Sequence, residues 1–219
     1  MALLPCVELE PRTPATAAVV WLHGLGADGH DFEPIVPELG LPDTLAVRFV
    51  FPHAPSIPVT INNGYRMPAW YDMLDMDLSR RADRAGLLAS AARVAALLDR
   101  ERERGIASER IVLAGFSQGG AVGLQLALTY PHRLAGLLAL STYFATGADV
   151  VPAAANRDLP IEVHHGLFDP LVPELMGRLT VDRLRDLGYD PTYRTYPMEH
   201  AVCAEQIADI GRWLIARLS

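Results

Sequence analysis

The chain has 219 residues and no lysine: all 19 of its basic residues are arginine. That absence excludes a Schiff-base lysine, a P-loop lysine and a Ser-Lys dyad before any motif is read. Cysteine is scarce too. Cys6 and Cys203 lie far apart in the sequence and make no disulfide framework, so both are read as free thiols and the protein as cytoplasmic. No apolar run approaches the roughly 18 residues that a membrane span needs. The first ten residues lack the basic stretch of a signal peptide, so no stable membrane anchoring is expected. Positive charge is in deficit, with 26 acidic residues giving a net charge of −7. Nucleic acid and anionic surfaces want clustered positive charge, so neither is expected as a partner. No Cys/His group has metal-site spacing, and His164 and His165 are neighbours that point to opposite faces of a strand. No metal and no other cofactor is expected.

What is present is an ordinary globular balance, half hydrophobic and 21% charged, long enough to bury a core unaided. One domain spanning 1–219 is expected. Short apolar runs read as buried strands at 17–22, 46–51, 111–114, 134–140, 161–165 and 192–196, with an edge strand near 7–10. Helical spacing covers 30–39, 79–104, 121–129, 173–187 and 203–218. Gly105 and Gly188 stand where C-caps belong. Residues 52–70 carry Pro52, Pro55, Pro58, Gly64 and Pro68 and read as a long irregular segment of functional character. The alternation predicts an α/β fold with a mostly parallel central sheet and helices on both faces.

The chemistry gathers around Gly115-Phe116-Ser117-Gln118-Gly119. With 17 glycines and 7 serines, chance supplies such a pattern roughly 0.04 times in a chain of this length. It follows an apolar strand and precedes a helix, the setting of a nucleophile elbow. A serine nucleophile needs a base, and the base needs an orienting carboxylate, in the order Ser, acid, His. His132, His164, His165 and His200 follow Ser117. His132 ends the helix away from the strand tips, and His164 and His165 have no acid before them in a strand-end loop. His200 sits between the sixth strand and the last helix and is the best base. Asp169, in the loop after the fifth strand, is the best acid, with Asp149 and Asp158 weaker alternatives. The oxyanion calls for two backbone N–H donors. Gln118 at the helix start and Leu25 in His23-Gly24-Leu25-Gly26 are assigned to it.

Four stretches then carry a resemblance: W-L-H-G-L-G-A-D-G-H-D-F, F-P-H-A-P-S-I-P-V-T-I-N-N-G-Y-R-M-P-A-W-Y-D, G-F-S-Q-G-G-A-V and H-G-L-F-D-P-L-V-P. Together, from about Val19 to the final helix, they resemble the small carboxylesterase / acyl-protein thioesterase (lysophospholipase-like) family of α/β-hydrolases. The resemblance implies a Ser117–Asp169–His200 triad, an oxyanion hole from Leu25 and Gln118, no metal, and hydrolysis of carboxylic esters or thioesters. It implies that residues 52–73, including Trp70 and Met73, and Leu171 flank an acyl-binding groove, and that a homodimer is possible. A core of this length leaves no room for a large lid domain, so short- to medium-chain carboxylic esters rank first as substrates. An acyl-protein thioesterase or lysophospholipase acting on longer chains ranks second, and a non-catalytic binding protein last. One departure stands beside the histidine: Glu199 occupies a place where the family pattern has glycine, so the loop is expected to differ slightly there.

Overall fold

The computed structural model describes residues 2–75 and 83–219. Seven strands form one sheet in the order β1-β3-β2-β6-β7-β8-β9. They are β1 (Cys6–Leu9), β2 (Ala17–Leu22), β3 (Val47–Pro52), β6 (Ile111–Phe116), β7 (Gly136–Leu140), β8 (Ile161–Gly166) and β9 (Thr192–Tyr196). Only the edge strand β1 runs antiparallel, against β3. The other neighbours are parallel, as the apolar runs predicted.

The central strands β2, β6 and β7 carry no polar side chain because both faces of the sheet are covered. In β2, Ala18, Val20 and Leu22 face one core, with Leu87, Ala91, Val94 and Leu98 of α1 (Arg84–Glu103) and most of α2 (Gln118–Thr129). Val181 and Leu184 of α3 (Glu174–Asp186) extend that core. Ala17, Val19 and Trp21 face the other core, closed by Ile207, Ile210 and Leu214 of α4 (Ala204–Leu218). The period of two along each strand thus feeds two layers of helices. The expected start of the first long helix, 79–82, lies outside the described residues. Leu87 of that helix is buried, whereas its neighbour Leu88 is exposed.

Two expectations need correction. Residues 30–39 do not form an α-helix: Glu33–Leu39 is a 3-10 segment, held tight by a proline at its start and Pro37 inside it. Residues 52–70 are not irregular throughout. β4 (Ser56–Val59) and β5 (Tyr65–Pro68) pair as a separate antiparallel hairpin. Asn63 and Gly64 turn it, both at positive φ (54° and 74°), and that Asn-Gly pair was the signal for a hairpin. Pro58 and Pro68 are tolerated because the two-stranded sheet is all edge.

The arginine-only composition has a structural use at the β1 edge. Glu101 of α1 is fully buried at 0% exposure. It accepts from Arg48 at 2.8 Å, from Arg100 Nε at 3.1 Å and from Arg104 at 3.1 Å. Glu8 and Glu10 of the edge bind the outer sides of the same guanidiniums. Only a forked cation bridges two carboxylates in this way. Removing the centre of a buried pair strands its partners, at about 3 kcal/mol or more. Glu101→Ala is therefore expected to lower Tm by roughly 6–12 °C, read by calorimetry.

Candidate active site

Ser117 stands between β6 and α2 with φ 54° and ψ −119°, a conformation that L-residues rarely adopt. Its carbonyl accepts from Thr142 Oγ1 at 2.6 Å, and its N–H donates to the Leu140 carbonyl at 2.9 Å. The strained turn is therefore tied to β7 on both sides. Small neighbours are obligatory. A Cβ on Gly115 would lie 2.5 Å from the Gly119 carbonyl oxygen, and one on Gly119 would lie 2.5 Å from the His23 carbonyl oxygen.

His200 follows β9, and its Nδ1 lies 2.6 Å from Asp169 Oδ2. The other oxygen, Asp169 Oδ1, accepts from the N–H groups of Leu171 (2.9 Å) and Val172 (2.8 Å). Burial alone would raise this carboxyl. The His200 and backbone hydrogen bonds outweigh it and hold Asp169 below the ordinary aspartate value. The imidazole packs on Phe116, ring centroids 4.7 Å apart, and Phe116 in turn packs on Phe32. The residue before it, Glu199, is exposed and does not have positive φ, so no left-handed backbone is demanded where glycine was expected.

Ser117, Gln118, Leu25 and His200 all line one cavity of about 250 Å³. Among the described residues, neither the Leu25 nor the Gln118 N–H is committed to another acceptor. The loop bearing Leu25 is held from behind. His23 Nε2 accepts from the Ala54 N–H at 3.1 Å, so its Nδ1–H donates to the Gly24 carbonyl at 2.7 Å. The Gly26 N–H donates to the Pro68 carbonyl of the hairpin at 2.8 Å. Met73 and Leu171 line the cavity beside Ile61, Tyr143 and Val172.

Trp70 does not. It is 2% exposed and lies behind the loop, where its indole N–H donates to the His23 carbonyl at 2.8 Å. The Gln118 amide clamps the same segment, accepting from the Trp70 N–H and donating to the Tyr71 carbonyl, each at 2.8 Å. Trp70 thus braces the wall and does not touch what the wall encloses. The side chains of His23 and Gln118 were missed as braces because the backbone atoms they reach at Ala54, Trp70 and Tyr71 lie far away in sequence.

The alternatives weighed against the triad have other partners, although His165 Nε2 also lies 3.7 Å from Asp169 Oδ2. His164 is buried against Glu162 and Tyr196 on one face of β8. His165 lies on the other face, bound to the Val172 carbonyl at 2.8 Å. Asp149 is engaged with Arg84 at 3.6 Å. Among the described residues, no helix is long and apolar enough to cross a membrane.

Comparison with known proteins shows the family and the fold. A family model described as Phospholipase/Carboxylesterase matches residues 6–217. A Neurospora crassa protein named acyl-protein thioesterase 1 is 42% identical over 214 residues, covering 93% of this chain and 87% of the relative. The crystal structure of Arabidopsis thaliana SOBER1 is similar with a TM-score of 0.86 at 28% identity, over 93% of this chain and 99% of that one. That of Zea mays acyl-protein thioesterase 2 gives 0.83 at 26% identity, over 98% and 99%.

Proposed function

The chain belongs to the phospholipase/carboxylesterase family and is a serine hydrolase of the α/β-hydrolase fold, and from that premise we propose that it cleaves acyl thioesters with apolar acyl chains. Ser117 Oγ attacks the acyl carbonyl while His200 Nε2 takes its proton. Asp169 holds the Nδ1–H and stabilises the imidazolium that forms. The N–H groups of Leu25 and Gln118 receive the oxyanion, each worth on the order of 10²–10³ in rate. Collapse of the tetrahedral intermediate breaks the C–S bond, and His200 returns the proton to the leaving thiolate. Water then repeats the sequence on the acyl-enzyme and frees Ser117.

The observation that carries the thioesterase reading is the apolar lining that shares the cavity with Ser117, namely Ile61, Met73, Tyr143, Leu171 and Val172. Such a wall binds methylenes and offers little to a polar acid. The curated relatives from Neurospora crassa, Gibberella zeae and Cryptococcus neoformans, 36–42% identical, all carry the name acyl-protein thioesterase 1. That name favours a thioester over the carboxylic ester that ranked first in the sequence.

The two readings separate by chain length. Each methylene buried adds about 0.8 kcal/mol, or roughly fourfold in kcat/KM. Acyl thioesters and nitrophenyl esters from two to sixteen carbons are expected to show kcat/KM climbing well past four carbons. Leu171→Ser is expected to flatten the climb. A maximum at two to four carbons with weak thioester cleavage would restore the short-chain carboxylesterase.

A further inference from the structure

The cavity walls are chemically unequal. Besides those apolar residues, the cavity lining includes Phe116, His200 and Asp31. Asp31 adjoins Phe32, which packs on Phe116, which packs on His200, so the carboxylate belongs to the histidine side. That is the side from which the leaving group takes its proton. Asp31 is exposed, and among the described residues its carboxylate has neither hydrogen bond nor ion pair. Its neighbours do not neutralise it. His30 is committed to Glu33 at 2.7 Å, and Asp28 is a further negative charge. Partial burial, then Asp28, push the Asp31 carboxyl above the ordinary aspartate value, the mark of an acid with no cation beside it.

We propose that Asp31 is a specificity-determining residue that selects substrates whose leaving thiol carries a positive charge. The acyl chain lies on the apolar wall, and the leaving group projects past His200 toward Asp31. A basic residue beside an acylated cysteine fits this arrangement, and so does a small thiol with a quaternary ammonium. Both present a cation to a carboxylate at the mouth. An exposed pair of this kind gives roughly three- to fivefold selectivity, weakened by salt. The inference rests on the acyl-thioesterase reading above.

The test uses octanoyl thioesters of one short cysteine peptide in three forms, with Arg, Gln or Glu beside the cysteine. Octanoyl thiocholine and an uncharged thiol of the same shape form a second pair. The readout is the ratio of kcat/KM for charged over neutral leaving groups within each enzyme, so a general loss of activity does not move it. Wild type is expected to prefer Arg over Gln over Glu, with the effect mostly in KM. Asp31→Asn is expected to bring the ratio near one, and Asp31→Arg to invert it in favour of Glu. A preference in the peptide series points to basic peptides, and one confined to thiocholine points to small ammonium thiols. Equal rates across both series in wild type, or a preference that survives in Asp31→Asn, would overturn the assignment of Asp31. Failure to cleave even the neutral thioesters would instead sink the thioesterase reading itself.

Discussion

Ser117→Ala is expected to remove essentially all activity, with kcat falling by roughly 10⁶ toward the residual level that an oxyanion hole alone supports. The fold should persist, because the strain at φ 54° belongs to the backbone and alanine meets it as serine does. The ties to Leu140 and Thr142 use the Ser117 N–H and carbonyl and survive the substitution. The check is twofold: turnover of an acyl thioester, and labelling by a fluorophosphonate probe. Wild type should label at one site and the variant at none. Persistent labelling at full rate in Ser117→Ala would mean that another serine carries the chemistry.

Asp169→Asn is the second large effect, expected near 10⁴-fold in kcat with little change in KM. The two carboxylate oxygens have separate tasks, which lets the substitution be read cleanly. An asparagine oxygen can still accept from the N–H groups of Leu171 and Val172, so the loop keeps its shape. Its amide nitrogen would then face His200 Nδ1 as a donor. That forces the proton onto Nε2, where a lone pair is needed to take the proton of Ser117. The stability effect has a definite sign. A carboxyl held below its ordinary value stabilises the native state above the ordinary aspartate pKa, and this is lost as pH falls through the lowered one. The variant lacks that titration. The Tm gap between wild type and Asp169→Asn should therefore narrow as pH drops below about 4. A gap that widened there would contradict the assignment.

The proposed nucleophile, acid and base were legible as candidates because they obey a rule of order. A parallel sheet puts the loops that follow its strands at one edge, so Ser117, Asp169 and His200 meet there whatever lies between them. The seven-stranded sheet was legible for a similar reason: strands buried on two faces leave unbroken apolar runs such as Ala17–Leu22. What escaped was set by contacts without periodicity. Pro58 and Pro68 masked the hairpin, since proline argues against an inner strand but is harmless on an edge. Trp70 was assigned to the groove from its position in the segment. Its burial depends on Gln118 and His23, 48 and 47 positions away, which no local window contains. Asp31 lies inside the W-L-H-G-L-G-A-D-G-H-D-F stretch but received no role there, because its meaning arises only when the cavity lining is seen as a whole.

The arginine–glutamate knot at the β1 edge also bears on the order in which the molecule is assembled. The bond from Arg104 to Glu8 spans 96 positions and that to Glu10 spans 94. Synthesis releases residues 6–10 long before α1 exists to hold them. Until then β1 has only β3 to pair with, and β3 itself arrives some forty residues later, at Val47. The first strand made is thus among the last secured, closed over by a helix from the middle of the chain. Contacts of such long range slow folding, and in the interval the apolar face of the early strands has no cover. On a ribosome, the segment between residue 10 and residue 100 is the window in which this chain is most open to association with its neighbours.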